Sequence, residues 1–261
     1  MRHYENRVVL FLDILGFQKI IEDTISKGID RAEHIEKLYE TLRLIREEVS
    51  QMKSGTSRVV TQFSDTVVVS FQENDTKEIT IFFQSILTLV MKLISREIIC
   101  RGAISYGKLI HTNDCVFGPA LNDAYLTESS AALYPRIILD KSIVDTLKAN
   151  YKDKIPDMLS VMRMESKVNA FLEIDTDDKL YLDYFTGALS MPKDKTILDY
   201  FVTLRKIISN GQRYTSPSIK IKYGWMKNKY NKFFDDLPSI QYENELYYPS
   251  LNALAKMGKI K

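Results

Sequence analysis

Hydrophobic residues fall into two rhythms along this chain. Residues 8–12 (VVLFL) and 66–71 (TVVVSF) are short apolar runs, mostly aliphatic and β-branched, which read as buried strands. Across 31–52 the rhythm is helical: Ile35, Leu38, Leu42, Ile45 and Val49 recur every three or four positions, with charged residues on the other face. The same reading predicts a short helix over 18–24, a hairpin of 59–63 with 66–71 around Ser64-Asp65, and a helix over 78–97. Strands 100–106 and 108–111 are expected to turn through Gly107, and a helix over 119–131 carries Pro119 in its first turn, where a missing N–H costs nothing. A strand at 137–139, a helix at 141–150 and a last hairpin of 171–174 with 179–184 complete the series. The order βαββαβ predicts an α+β fold, an antiparallel sheet layered on one face by helices.

Beyond Phe185 the texture changes. Gly187, Pro192 and the polar stretch 210–218 interrupt it. Leu198, Phe201, Leu204, Ile207 and Ile208 form one amphipathic face, and 219–234 forms another. The expected organisation is a main domain over 1–185 and a helical extension over 186–261 packed on that core. Late lysines at 220, 222, 227, 229 and 232 alternate with Tyr223, Trp225, Tyr230 and Phe233, as on a solvated helix face that also docks aromatics.

Charge and cysteine usage narrow the classes. A length of 261 residues supports a full core, and a formal charge of +2 leaves no footprint for a nucleic-acid polymer. The two cysteines and three histidines have no zinc-site spacing, and a reducing cytoplasm is the expected compartment. No signal peptide is visible before the first strand. The apolar stretch 79–94 is short for a membrane span and carries Gln84, Ser85, Thr88 and Lys92, so a buried helix is expected and no membrane partner.

Against this background two carboxylates stand out. Asp13 ends the first apolar strand and Asp65 interrupts the 59–71 hairpin. A lone strand-end Asp is ordinarily a cap or turn residue, but two on adjacent strands form a sparse acidic pair. Mg²⁺ takes few protein carboxylates and fills its remaining positions with water and phosphate oxygens, which suits such a pair. Ile14, Leu15, Gly16 and Phe17 lead into the first helix, whose N-terminal N–H groups are expected to face a phosphate.

In this order the motifs resemble those of the class III nucleotidyl cyclases. VVLFLDILGF resembles the family's first-strand motif, and VVTQFSDTVVVSF its metal hairpin, with Ser64 where the family usually has Gly. CRGAISYGKLIH and CVFGPALNDAYLTESS resemble the substrate strand and the Asn-bearing helix. The resemblance implies two divalent cations, Mn²⁺ or Mg²⁺, on Asp13, Asp65 and the Ile14 carbonyl. It also implies that Asn122 orients the ribose, and that sites form between the protomers of a homodimer.

The departures from the family pattern bear on the substrate. Leu126 stands where purine cyclases carry a transition-state Arg, Thr61 stands at one base-reading position, and Cys115 at the other. Together with YPRIILD, YLDYF and KYGWMKNKYN, this pattern resembles the bacterial Pycsar pyrimidine cyclases, which make cyclic UMP or cyclic CMP in anti-phage defence. UTP is the expected substrate and CTP the alternative, with Arg58 in reach of a uracil carbonyl and Gln62 on the same strand. Arg101 and Arg136 are the candidates to replace the missing Arg on the phosphates. A separately encoded effector that responds to the cyclic nucleotide is implied by the family. The competing readings are a purine cyclase with an altered pocket, which Cys115 favours, and a degenerate cyclase fold retained as a nucleotide-binding module. Retention of two costly carboxylates argues against the second.

Overall fold

The computed structural model describes residues 2–50, 57–190, 195–243 and 248–261. The chain divides into two compact units, one of Met1–Leu89 with Ile99–Leu182, the other of Val90–Ile98 with Asp183–Lys261. Among the described residues no helix is long and apolar enough to cross a membrane.

The first unit is an α+β arrangement around a mostly antiparallel sheet. In chain order its elements are β1 (Glu5–Ile14), α1 (Phe17–Glu22), β2 (Ile25–Ser26), β3 (Ile29–Asp30), α2 (Ala32–Ser50), β4 (Val59–Phe63) and β5 (Thr66–Gln72). There follow α3 (Thr76–Ile94), whose last turn belongs to the second unit, β6 (Cys100–His111), β7 (Val116–Phe117), α4 (Pro119–Ala131) and β8 (Ile137–Leu139). Next come α5 (Lys141–Lys154), α6 (Met158–Ala170), β9 (Leu172–Ile174) and β10 (Leu180–Leu182). The strands lie in the order β4-β5-β1-β6-β8-β10-β9, with β7 on β6, and the β6/β8 pair is parallel.

Register explains why the central strands are apolar on both sides. Val8, Leu10 and Leu12 pair with Phe71, Val69 and Val67, and this face meets α3, where Phe82 lies 4.9 Å from Phe71 between ring centroids. Val9, Val68 and Leu109 occupy the opposite face and bury Ala120 and Ala124 of α4. The layering is therefore fuller than a one-sided one, with α4 as cover on the second face. Each large side chain so buried contributes about 1.5–3 kcal/mol.

Two expectations change. The turn expected at Gly107 is absent: Cys100–His111 is one continuous strand, because β1 offers partners from Ile14 down to Glu5 and β6 pairs along that whole length. Gly107 sits inside the strand at φ 154°, a backbone conformation that favours glycine, and the reversal comes later, where β7 returns on Ile110 and His111. The helix α6 was not foreseen; Asp157 caps it by accepting from the N–H groups of Leu159 and Ser160, and Val161, Met164 and Val168 form its buried stripe. The helix expected to reach Met52 is described to Ser50, and Gln51, Met52 and Pro192 lie outside the described residues.

The second unit contains a 3₁₀ turn (Thr186–Ser190), α7 (Lys195–Gly211), α8 (Pro217–Glu243) and α9 (Tyr248–Met257). Its core is aromatic: Phe201 stacks on Phe233 at 4.5 Å and Tyr200 donates to the Tyr184 carbonyl at 2.9 Å. Trp225 and Tyr230 are also buried, whereas Tyr223 is half-buried.

Candidate functional site

The strand ends of the first unit bring Asp13 and Asp65 together. Asp13, next to last in β1, pairs across the sheet with Thr66 on one side and Arg101 on the other. Asp65 directly precedes Thr66, in a two-residue turn whose Ser64 has φ 54°, so backbone pairing alone delivers both carboxylates to one point. Gly102 lets β1 and β6 approach there, since a Cβ at that position would lie 2.6 Å from the Phe11 carbonyl oxygen. Arg101 Nε stands 3.8 Å from an Asp13 oxygen and 2.5 Å from Oε1 of Glu128.

Glu128 is the site residue that the sequence reading missed. It is 3 % exposed, on the stripe Ala120-Ala124-Glu128 by which α4 lies against the sheet. A glutamate on the buried stripe of a helix was the available signal, because such a residue needs a partner. Asp13 and Glu128 thus flank Arg101, and Asp65 stands beside Asp13. Burial first, then the charges of Asp65 and Glu128, push the Asp13 carboxyl from 3.8 up to about 6, against the opposing pull of Arg101.

This excess of negative charge suits a cation. Among the described residues no group of three or more His, Cys, Asp or Glu side chains is arranged to hold a metal by itself. Asp13 and Asp65 fit a hard divalent ion that takes most of its ligands from water and a phosphate, rather than a self-contained cage. Ile14, whose carbonyl is expected to assist, is the buried last residue of β1.

The other expected residues are distributed unevenly. The Leu15 amide, expected to face a phosphate, instead donates to the Ile99 carbonyl at 2.9 Å, because β1–β6 pairing continues one residue past the strand. Gly16 caps the six-residue α1 in a left-handed conformation, and Phe17 begins it. Arg58 lies at the far end of β4 from Asp65, roughly 20 Å along the strand. Its side chain is fully buried in an ion pair with Glu78, which is equally buried, so it does not reach the Asp13–Asp65 end. Arg136 is placed one strand beyond Arg101, but its guanidinium is buried on Asp175 and Asp177. Of the three arginines considered, the structure brings Arg101 to the carboxylates.

Asn122 and Leu126 are exposed on α4, outside the Ala120-Ala124-Glu128 stripe, and the half-exposed Tyr125 packs edge-on against Phe11 of β1 at 5.6 Å between ring centroids. Thr61 Oγ1 lies 3.0 Å from Nε2 of His111, on the strand that runs into the Cys115 hairpin. Cys115 Sγ is 3.5 Å from Thr112 Oγ1. Gln62 donates to the Leu42 carbonyl at 3.2 Å.

No family model matches the chain, and no curated protein sequence matches it. Among solved structures it is similar to the adenylyl cyclase CyaB from P. aeruginosa, at 15% identity and a TM-score of 0.42, over 56% of this chain and 82% of that one. It is also similar to a bacterial light-regulated adenylyl cyclase (14%, TM-score 0.40, 55% of this chain and 45% of that one). A third is a class III adenylyl cyclase-like ATP-binding protein from Pseudomonas aeruginosa (10%, TM-score 0.40), over 78% of this chain and 44% of that one.

Proposed function

We propose that this chain is a metal-dependent nucleotidyl cyclase that converts a pyrimidine nucleoside triphosphate, UTP before CTP, into its 3′,5′-cyclic monophosphate and pyrophosphate. The observation that carries the proposal is the convergence of Asp13 and Asp65 at one end of the central strands, with Arg101 against Asp13. In the reaction the 3′-hydroxyl oxygen bonds to the α-phosphorus as the bond to the pyrophosphate oxygen breaks, and the hydroxyl proton is lost. Mg²⁺ or Mn²⁺, held by Asp13, Asp65 and the Ile14 carbonyl, would supply an acidified hydroxyl and charge neutralisation on the phosphates.

The chain's own groups then have separate tasks. Arg101 is a fixed cation beside the carboxylates and offers its guanidinium to the phosphate oxygens. Glu128 holds Arg101 by an ion pair from α4 and so sets where that charge sits. The Gly16 and Phe17 amides stand beside the same strand end. Asn122 faces outward from its own sheet, which supports its delivery to the site of a second copy in a C2 homodimer. The product would act as a second messenger on a separate effector, in the anti-phage role that the motif pattern implies.

Complementation tests this arrangement. Asp13→Asn and Asn122→Ala should each abolish product formation while leaving the oligomer intact. Mixing and reassociating the two should restore about a quarter of wild-type activity, since half of the dimers are mixed and each has one intact site. No recovery from stable mixed dimers would show that the Asp13 and Asn122 functions do not meet across an interface.

A further inference from the structure

A buried polar line runs from β1 to the cleft that Thr61 lines. Arg7, 3 % exposed, donates from Nε to Ser70 Oγ at 2.9 Å. Ser70, fully buried in β5, lies 2.8 Å from His111 Nδ1, and His111 Nε2 lies 3.0 Å from Thr61 Oγ1. The remaining nitrogens of Arg7 are held by Glu5 and by the Ser57 carbonyl, each at 2.6 Å.

The direction of every hydrogen bond in this line follows from its first member. A guanidinium only donates, so Ser70 Oγ accepts from Arg7 and its own proton needs another acceptor. Among the described residues that acceptor is His111 Nδ1. A fully buried hydroxyl without an acceptor would bear its whole desolvation cost, so Nδ1 keeps its lone pair and the neutral ring carries its proton on Nε2. Nε2–H then donates to Thr61 Oγ1. Among the described residues the Thr61 proton is left without an acceptor, and Thr61 lines a cleft of about 550 Å³ together with Arg43, Arg46, Gln62, Ser64 and Asn113.

We infer that Arg7, Ser70 and His111 are positioning residues that lock the Thr61 hydroxyl as a hydrogen-bond donor into this cleft, so that it selects a base with a carbonyl oxygen over one with an amino group. The identity of the ligand rests on the cyclase reading; the direction of the hydrogen bonds does not. Both bases carry a carbonyl at C2, but at C4 uracil presents a carbonyl and cytosine an amino group, so a donor that meets the C4 substituent favours UTP over CTP. A threonine whose hydroxyl could turn freely would accept from the amino group as readily as donate to the carbonyl. The relay removes that freedom.

Two measurements on the full chain test this. Imidazole ¹⁵N spectra at neutral pH, with the His111 signals identified by their loss in His111→Gln, should show a neutral ring protonated on Nε2. Ser70→Ala should convert it to a mixture of tautomers. A wild-type ring protonated on Nδ1 overturns the inference whatever the protein catalyses. The second measurement compares kcat/KM for UTP and CTP. Thr61→Val and His111→Phe should each lower the UTP/CTP ratio about tenfold, mainly through KM. His111→Gln, which keeps an amide N–H for Thr61, should hold the ratio within about twofold. An unchanged ratio in Thr61→Val overturns the inference and leaves the cyclase reading standing. Absence of any cyclic product from wild type overturns the cyclase reading, and the spectra alone then uphold or overturn the donor assignment.

Discussion

Replacing Asp13 with Asn should make the metal-free protein more stable while it removes activity. In the folded chain the Asp13 side chain is 24% exposed and faces the carboxylates of Asp65 and Glu128. Its pKa rises from 3.8 to about 6, which by linkage corresponds to about 3 kcal/mol at neutral pH. A quarter of the side chain still meets water, and Asn loses the attraction of Arg101, so about 1–2 kcal/mol is the expected gain. The sign follows from proton binding. A carboxyl whose folded pKa is raised binds its proton more tightly when folded, so its cost is absent below about 3.8, grows between there and about 6, and is complete above. Asp13→Asn should therefore raise the Tm by about 3–6 °C in EDTA at neutral pH, and by progressively less towards pH 4. Excess Mn²⁺ with nucleotide should reverse the order, because ligand binding stabilises wild type alone. Thermal unfolding with and without EDTA reads both effects. A variant less stable than wild type in EDTA would mean that Asp13 holds the fold together, and the argument from its cost would fail.

Other consequences are more local. Glu78→Ala should cost about 3–5 kcal/mol in urea unfolding by removing the carboxylate buried against the Arg58 guanidinium, while Arg58→Met with Glu78→Leu recovers most of it; a cost below about 1 kcal/mol would return Arg58 to the ligand candidates. Gly102→Ala should lose both stability and product formation, since its Cβ would press on the Phe11 carbonyl where Asp13 and Arg101 meet; wild-type behaviour in both assays would contradict this. Ser64→Gly should stabilise the turn before Asp65 by about 0.5–1 kcal/mol by relieving a left-handed non-glycine residue, visible as a higher urea midpoint. Cys100, fully buried with its thiol pushed up to about 12, should resist iodoacetamide at pH 8 in the native protein and react once it is unfolded.

What the sequence disclosed, and what it hid, divides along physical lines. The runs that became β1, β5 and β8 were legible because a buried strand must be apolar on both sides, and Asp13 was conspicuous for breaking that rule. Gly107 misled because a glycine inside an apolar run marks a turn or a bend equally well, and only the ten-residue length of β1 decides between them. Arg58 and Arg136 looked available because their partners are distant in the chain: Glu78 lies 20 residues away, and Asp175 lies 39. No local pattern announces such a pair. Glu128 was half-legible: its i, i+4 spacing from Ala120 and Ala124 places it on their stripe, but only the packing of α4 on β6 gives it Arg101 as a partner. The His111 line was equally invisible, because it joins side chains from four strands across 63, 41 and 50 residues.

Asp13 and Asp65, on the reading proposed above, serve nucleotide cyclisation on a pyrimidine. Incubating the purified full chain with ATP, GTP, CTP and UTP separately, each with Mn²⁺, and identifying the products by mass tests it most directly. The expected products are cyclic UMP and pyrophosphate, with less cyclic CMP, and neither cyclic nucleotide from Asp13→Asn. A cyclic purine nucleotide as the main product would contradict the pyrimidine assignment, and no cyclic product from any of the four would contradict the cyclase itself.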